Sequence, residues 1–250
     1  MSALRSIPLF AVAICCFGPL LVTGCSGMRK AAPLTVADPA RPDDEAARDA
    51  WQRPQAILTQ MRLQPGQVVV DFGAGNGYLL PWLARAVGPS GKVIAVEVQP
   101  ELVALLRARV AREKLTNVEI VQATEVSAPL GQLADRILLL HSYRELAQPV
   151  QLLEALKHWL KPGGRLYVIE FYPPPDPAGL PLPLPPAEHR VEPATVEAEL
   201  RGAGFSVTQR YAVLPHQSFA MFVPSEELTP ALAQDRDRIA LPADATPPAK

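Results

Sequence analysis

The sequence predicts an α/β fold of the doubly wound type, in which helices cover both faces of a mostly parallel β-sheet. Strand-like and helix-like runs alternate from Arg53 to Val223. The strand-like runs, such as "VVV", "VIAV" and "ILLL", are continuously apolar, which is typical of strands covered on both faces. Repeated β-α-β units with buried strands favour parallel pairing, with helices on both sides of the sheet.

The individual elements follow from local signals. Pro54 and Pro100 stand where a helix tolerates proline, in its first turn, and the segments "QPG", "PSG" and "KPGG" are typical of turns. In chain order the predicted elements are helix "RPQAILTQM", strand "QVVVDF", helix "GYLLPWLARAVG", strand "KVIAVEV", helix "PELVALLRARVAREK", strand "NVEIVQA", strand "DRILLLH", helix "QPVQLLEALKHWL", strand "RLYVIEF", helix "PATVEAELRGAG", and strands "FSVTQRYAVL" and "HQSFAMFV". A single domain accounts for all of them.

A proline-rich segment, "YPPPDPAGLPLPLPP" from Tyr172 to Pro186, follows the fifth strand. Proline lacks a backbone donor and fixes φ, so this segment forms neither a helix nor a central strand. We expect a long loop there. Two interpretations stay open: the loop is a wall of the substrate site, or it is a loosely packed insertion.

The N-terminus has the features of a signal peptide over residues 1–24: Arg5, then the apolar run "IPLFAVAICCFGPLLV", then small residues. The exit "VTGC" resembles the lipobox of bacterial lipoproteins, in which a peptidase cuts before a cysteine that becomes lipid-modified. By this resemblance Cys25 is the mature N-terminus and anchors the protein to the membrane of the cell envelope, facing the periplasm, with the outer membrane as the expected site. The alternative is an uncleaved N-terminal anchor with the domain facing the cytoplasm.

The domain has polar, proline-containing segments on either side. Residues 25–47 mix Pro, Ala, Gly and charged residues without apolar periodicity, and we expect a flexible tether. Residues 48–223 are the predicted domain. Residues 224–250 are rich in proline and poor in bulky apolar side chains, which predicts a disordered tail.

Charge and cysteine content exclude several function classes. Lys plus Arg number 24 and Asp plus Glu number 25, which gives a formal net charge of −1. The chain has no basic block of the kind that attracts nucleic acid, so we expect no nucleic-acid partner. All three cysteines, Cys15, Cys16 and Cys25, lie in or at the end of the N-terminal apolar run. The domain therefore has no cysteine for a disulfide, a zinc site or nucleophilic catalysis, and no metal site is predicted.

The stretch "VVVDFGAGNGYLL" carries the chemistry of the predicted site. The strand residue Asp71 is followed by Gly73, Gly75 and Gly77, and glycines let a backbone approach a ligand at the carboxyl end of a parallel sheet. The spacing departs from the G-x-G-x-x-G loop of dinucleotide-binding proteins. Because a carboxylate repels a pyrophosphate in a partly desolvated site, Asp71 favours a cationic ligand. S-adenosylmethionine, with its sulfonium and ammonium groups, meets this requirement.

Several motifs resemble those of class I S-adenosylmethionine-dependent methyltransferases. "VVVDFGAGNGYLLPWLARAVGPSGKVIAVE" is similar to the family's motif I and the acidic strand end that follows it. "ADRILLLHSYREL" and "LKPGGRLYVIEF" resemble its fourth-strand and fifth-strand segments, and the C-terminal part resembles quinone-type methyltransferases. The resemblance implies a Rossmann-like sheet of seven strands, the last of them antiparallel, and S-adenosylmethionine as the cofactor.

The resemblance also implies roles for the cofactor-binding residues. Asp71, Gly73, Gly75 and Gly77 would line the methionine part of the cofactor, with Asp71 reaching the ammonium group. Glu97 would accept hydrogen bonds from the ribose hydroxyls, and Gln99 would lie beside the adenosine. Thr124 stands at the position where the family commonly has an acidic residue that binds adenine, and the adjacent Glu125 could substitute for that residue.

His141 and Tyr143, at the end of the fourth strand, fall where the family places residues that face the transferable methyl group and its acceptor. They are the predicted catalytic residues. A structural, hydrogen-bonded histidine is the alternative for His141.

The sequence therefore predicts a methyltransferase that acts on a small or lipophilic acceptor. Three alternatives stay open: a non-catalytic ligand-binding module of the envelope, which Thr124 favours, a structural envelope lipoprotein, and a protein isoaspartate-type methyltransferase, which "GNGYLLPWLARAVG" resembles. Fold alone does not decide among them.

Overall fold

The computed structural model describes residues 44–124, 128–146, 149–172, 185 and 190–227. They form one seven-stranded sheet covered by helices. The strands are β1 (Val68–Phe72), β2 (Lys92–Glu97), β3 (Val118–Gln122), β4 (Ala134–Leu140), β5 (Leu160–Phe171), β6 (Phe205–Arg210) and β7 (Gln217–Pro224). The helices are α1 (Asp44–Gln52), α2 (Pro54–Met61), α3 (Leu80–Val87), α4 (Pro100–Arg112), α5 (Pro149–Trp159) and α6 (Pro193–Gly202).

The strand order across the sheet is β3-β2-β1-β4-β5-β7-β6. β1 pairs in parallel with both β2 and β4, whereas β7 is antiparallel to its neighbours β5 and β6. The predicted fold class, a doubly wound and mostly parallel sheet with an antiparallel last strand, is confirmed. The order reverses direction between β1 and β4, and ligands of such sheets bind at the carboxyl ends of the strands beside that point.

Two apolar layers hold the sheet between its helices. Along β1, Val69 and Val70 point to opposite faces because side chains alternate along a strand. Val69 packs with residues of α2 and α3 in one buried cluster, and Val70 packs with residues of α5 and α6 in the other. Asp71 lies on the same face as Val69, and this face carries the site.

The structure differs from the sequence predictions at several element boundaries. β6 ends at Arg210, whereas the predicted strand continues to Leu214, and the predicted tail from residue 224 begins with the end of β7 and a short 3-10 helix, Ser225–Glu227. α1 begins at Asp44, inside the segment predicted as a tether, so helical structure starts before residue 48. β5 begins at Leu160 and includes the "KPGG" segment that was predicted to be a turn, with a register shift opposite β4.

The signal peptide, Cys25, the C-terminal tail beyond Glu227 and nearly all of the proline-rich segment lie outside the described residues. Within the part of the chain that is described, no helix has both the length and the apolar character that crossing a bilayer requires.

Candidate active site

A cavity of about 390 Å³ lies at the carboxyl ends of β1, β2 and β4, within the usual range of roughly 300 to 1,000 Å³ for small-molecule sites. Polar and apolar side chains share its wall. The lining residues are Arg48, Asp71, Phe72, Gly73, Ala74, Gly75, Asn76, Tyr78, Leu79, Val96, Glu97, Val98, Gln99, Leu102, Thr124, Leu140, His141, Ser142, Arg144, Glu145, Leu146 and Leu152.

The glycine loop between β1 and α3 forms one wall of this cavity. Gly73 has φ 75°, and a Cβ there would lie 2.4 Å from the Cβ of Ser142, so only glycine fits. Gly75 has φ 57° and open space where a Cβ would be, which leaves its backbone accessible to a ligand. Gly77 does not line the cavity, because its Cα faces Leu106 and Leu80 in the core. Gly77 thus has a packing position in the structure, and its contact with a ligand stays a prediction.

Glu97, the last residue of β2, organises the loop through its carboxylate. Oε2 accepts a hydrogen bond from the backbone N–H of Gly75 at 3.0 Å. Oε1 accepts from the N–H groups of Val98 at 2.7 Å and Gln99 at 3.2 Å. Since a carboxylate offers about four lone-pair positions, these donors leave capacity for a ligand hydroxyl.

Asp71 lies in the centre of the sheet, in register with Ala95 of β2 and Leu138 of β4, and is 4% exposed. Burial raises the pKa of its carboxyl to about 7; the charge of Arg48 acts in the opposite direction, and the Glu97 carboxylate adds to the rise. A cation bound beside this carboxyl would stabilise its ionised form. The cavity is therefore suited to a positively charged group at this point.

Three further residues, Gln99, Thr124 and Glu125, were predicted to bind the cofactor. Gln99 and Thr124 both line the cavity, beyond the end of β2 and at the end of β3. Glu125 lies outside the described residues.

His141 follows β4 and lines the cavity, with its backbone in the left-handed region at φ 58°. Its ring centroid lies 4.3 Å from that of Phe171 and 6.3 Å from that of Trp51. Burial, with a further contribution from the charge of Arg48, lowers the pKa of His141 to about 3, so the ring is neutral near pH 7. Nε2 lies 2.8 Å from Oε1 of Gln217. If that amide oxygen accepts, Nε2 carries the proton and Nδ1 the lone pair.

Tyr143 is fully buried and is not among the residues that line the cavity. Its hydroxyl donates to Glu199 of α6 at 2.5 Å, and its backbone N–H donates to Oε1 of Glu170 at 2.8 Å. The structure thus places Tyr143 between the loop after β4 and α6, and not at the acceptor side of the cavity as predicted. Its two hydrogen bonds connect the loop after β4 to α6 and to β5.

Helix α1 presents a polar face to the cavity, which the sequence analysis did not find. Its exposed residues are alanines, Ala46, Ala47 and Ala50. Its inner residues are Glu45, Arg48, Asp49, Trp51 and Gln52. The spacing of positions 45, 48, 49 and 52 is that of one helical face, and this was the available signal. It was missed because polar residues occupy the side on which a buried helix usually carries apolar ones.

Specific polar contacts dock α1 beside the glycine loop. Arg109 of α4 donates through Nη1 and Nη2 to the Glu45 carboxylate at 2.5 and 2.9 Å, and through Nη1 to the carbonyl of Asn76 at 3.3 Å. The Tyr78 hydroxyl donates to Asp49. These contacts join α1, α4 and the loop at one edge of the cavity.

The far end of α1 reaches β7. Nε2 of Gln52 donates to Oε1 of Gln217 at 2.8 Å, the same oxygen that faces His141. Gln52 and Gln217 are 0% and 4% exposed. This buried pair therefore links α1 to the cavity histidine, a contact between distant segments for which the sequence carries no local signal.

Comparison with known proteins shows what the sequence is similar to. Residues 69–164 match the family model described as a methyltransferase domain. The ubiquinone/menaquinone biosynthesis C-methyltransferase UbiE of Hydrogenovibrio crunogenus is 30% identical over 128 residues, which cover 48% of this chain and 48% of that protein. The chain thus spans about half the length of such curated relatives.

Solved structures include further matches. An S-adenosylmethionine-dependent methyltransferase from Aquifex aeolicus is 29% identical, with a TM-score of 0.63, over 74% of this chain and 98% of that one. The glycopeptide N-methyltransferase MtfA, in complex with S-adenosyl-L-methionine, has a TM-score of 0.54 and 18% identity, over 69% of this chain and 86% of that one. The second match supports the fold alone.

We predict that replacing Asp71 with asparagine makes the stability of the chain less sensitive to pH. The folded-state pKa of about 7 lies above the ordinary value of 3.8. The stability contributed by protonated Asp71 is therefore complete below pH 3.8 and is lost as the pH rises through about 7. Urea unfolding of both chains at pH 5 and pH 8 measures the effect.

The free energy of unfolding of Asp71→Asn, minus that of the wild type, should increase from pH 5 to pH 8. One pKa unit corresponds to about 1.4 kcal/mol, so the increase is on the order of a few kcal/mol at most. A difference that stays constant or decreases with pH would contradict the assigned burial of the Asp71 carboxyl.

Proposed function

We propose that this chain, which carries a domain of the S-adenosylmethionine-dependent methyltransferases over residues 69–164, transfers a methyl group from S-adenosylmethionine to a small, largely apolar acceptor. The domain type and the cofactor agree with the sequence prediction and are confirmed by the comparisons. The acceptor, the activity of the whole chain and its attachment to the cell envelope are proposals.

The observation that carries the proposal is the pair of carboxyl groups, Asp71 and Glu97, at the ends of adjacent strands beside the open backbone of Gly75. A phosphate-bearing ligand would meet repulsion from both groups. S-adenosylmethionine has no phosphate. Its ammonium group suits the buried Asp71, and its ribose hydroxyls suit the remaining acceptor capacity of Glu97.

The other lining residues fit the rest of the cofactor. Gln99 stands two residues after Glu97 along the loop, and Thr124 lies just beyond the adjacent strand β3, where the adenine ring would extend. Val98 and Leu102 give that part of the cavity apolar surfaces. The adenine ring, which has apolar faces and polar atoms at its edge, matches this combination of apolar and polar lining residues.

When bound, the cofactor supplies an electrophilic methyl group on a sulfonium that is a good leaving group. The chain itself contributes position and the exclusion of water. Asp71 would hold the ammonium group of the donor and Glu97 its ribose, and these two contacts would restrain the part of the cofactor that carries the methyl group. Alignment of this kind supplies a large part of the rate enhancement when two reactants must meet in line.

We further propose that His141 orients the acceptor and does not remove a proton from it. Efficient general bases have pKa values near the operating pH, whereas burial lowers the pKa of His141 to about 3. Gln217, Phe171 and Trp51 hold the ring in place. A fixed neutral imidazole of this kind can accept one hydrogen bond from the acceptor.

The apolar part of the cavity supports a small or lipophilic acceptor. Leu140, Leu146 and Leu152 line the cavity together with His141. The curated relative of Hydrogenovibrio crunogenus, a ubiquinone/menaquinone biosynthesis C-methyltransferase, favours a quinone-type aromatic acceptor. We adopt that acceptor class for the proposal.

A titration of the full-length chain with S-adenosylmethionine and S-adenosylhomocysteine tests the cofactor site. We predict saturable binding of both by the wild type. Glu97→Gln should weaken both affinities about tenfold to a hundredfold, because it removes a charge-assisted acceptor from the ribose hydroxyls. Glu101→Gln, on the exposed first turn of α4, is the matched control and should bind as the wild type does.

Failure of the wild type to bind either compound would contradict the proposed activity. Binding without transfer of a labelled methyl group to hydroquinone acceptors would favour the alternative of a non-catalytic ligand-binding module, the interpretation supported by Thr124 in place of an acidic residue.

We also propose that the chain is anchored through lipidated Cys25, which precedes α1 by a short segment. Growth of expressing cells with labelled palmitate should label the full-length wild type and leave Cys25→Ala unlabelled, while Cys16→Ala keeps the label as a matched control. An unlabelled wild type, or label retained in Cys25→Ala, would contradict lipidation at this position.

A further inference from the structure

Arg48 is the one cavity-lining residue that α1 contributes, and its guanidinium faces Asp71 across the same cavity. In the part of the chain that the structure describes, its Nε is buried without a hydrogen-bond partner. A guanidinium has five donors and no acceptor. A buried donor without a partner is costly in a folded protein, so an acceptor supplied by a ligand would complete this position.

Neighbouring groups fix the Arg48 guanidinium in place. It lies 3.9 Å from the ring centroid of Tyr78 and 5.8 Å from that of Trp51. The Tyr78 hydroxyl is bound in turn to Asp49, one residue along α1. Stacking on an aromatic face restrains the plane of the guanidinium and leaves its edge free for hydrogen bonds.

The acidic residues around Arg48 are mostly engaged elsewhere. The Glu45 carboxylate accepts both Nη groups of Arg109, and Asp49 accepts the Tyr78 hydroxyl. Glu97 and Glu145 also line the cavity, and Asp71 is the lining carboxyl whose charge acts on Arg48. The two side chains therefore present one positive and one negative charge to the same small space.

We propose that Arg48 binds the carboxylate of the methionine end of S-adenosylmethionine, while Asp71 binds its ammonium group. This inference rests on the proposed function and names a residue that the sequence motifs did not indicate. An α-amino acid end group carries its two charges on substituents of one carbon, so it complements an arginine and a carboxylate that share one cavity. The planar guanidinium can bind both carboxylate oxygens at once.

The position of Arg48 on α1 gives this contact a second consequence. The residue belongs to a helix that polar contacts with α4, the glycine loop and β7 hold in place. A ligand carboxylate bound to Arg48 adds a further bond between α1 and the rest of the site. Binding of the methionine end therefore stabilises the docked position of α1.

The test compares three ligands on the full-length chain: S-adenosylhomocysteine, decarboxylated S-adenosylmethionine, which keeps the amine but lacks the carboxylate, and 5′-methylthioadenosine, which lacks the whole amino-acid end. Calorimetric titration gives the affinities for the wild type, Arg48→Met and Arg48→Lys. Arg107→Met, at an exposed position of α4, is the matched control. Far-ultraviolet circular dichroism establishes that each variant is folded.

We expect Arg48→Met to weaken S-adenosylhomocysteine binding by about tenfold to a hundredfold, the range of a charge-assisted pair, and to leave the other two ligands within about threefold of the wild type. Arg48→Lys should give an intermediate loss for S-adenosylhomocysteine, because lysine keeps the charge and lacks the two-pronged geometry. Arg107→Met should leave all three affinities unchanged.

Equal losses for all three ligands in both Arg48 variants would overturn the assignment and show that Arg48 only supports α1. Unchanged affinity for S-adenosylhomocysteine would overturn it as well. A wild type that binds none of the three ligands would overturn the proposed function, and this assignment with it. The pattern across ligands thus separates a failure of the Arg48 contact from a failure of the cofactor site.

Discussion

Burial of the Asp71 carboxyl is the constraint on which the site depends. Pairing of β1 with β2 and β4 fixes Asp71 in the centre of the sheet, so the side chain cannot turn to solvent. A carboxyl in this position must either hold its proton or have a cation beside it. With its pKa raised to about 7, the Asp71 carboxyl can be either protonated or ionised near neutral pH. Among the groups around the cavity, the positive charge of Arg48 stabilises the ionised form of this carboxyl.

Helix α1 contributes to the cavity, and its polar residues lie on the inner side of the helix, where apolar residues are usual. Its alanines face solvent and its charged residues face the domain. A helix of 9 residues is short of the roughly 12–15 residues at which isolated helices become even marginally stable. Its structure therefore depends on docking, through Glu45 with Arg109 and Gln52 with Gln217.

Much of the fold could be predicted from the sequence, because buried parallel strands are continuous apolar runs and prolines and glycines separate them from the helices. β1 and β2 lie within one residue of their predicted bounds. The cavity residues Asp71, Gly73, Gly75, Glu97, Gln99, Thr124 and His141 were also named from the motifs, and the structure brings them together.

The rest depended on contacts that periodicity does not encode. The first four residues of α1, 44–47, were assigned to the tether because that segment mixes alanine, proline and charged residues without apolar periodicity. Tyr143 was placed at the acceptor, yet the left-handed backbone of His141 and the hydrogen bonds of Tyr143 to Glu199 and Glu170 turn it into the core. A local sequence pattern does not predict the backbone conformation of a single residue. It also does not predict a contact between distant residues, such as His141 with Gln217.

Proton release on ligand binding tests the role of Asp71 most directly. Titration of S-adenosylhomocysteine at pH 7, in buffers of different ionisation enthalpy, measures the protons exchanged per ligand bound. With a pKa of about 7, Asp71 is half protonated, and an ammonium group bound beside it should expel roughly half a proton more from the wild type than from Asp71→Asn. Equal proton exchange in the two chains would contradict the assignment of the buried Asp71 carboxyl to the cationic end of the cofactor.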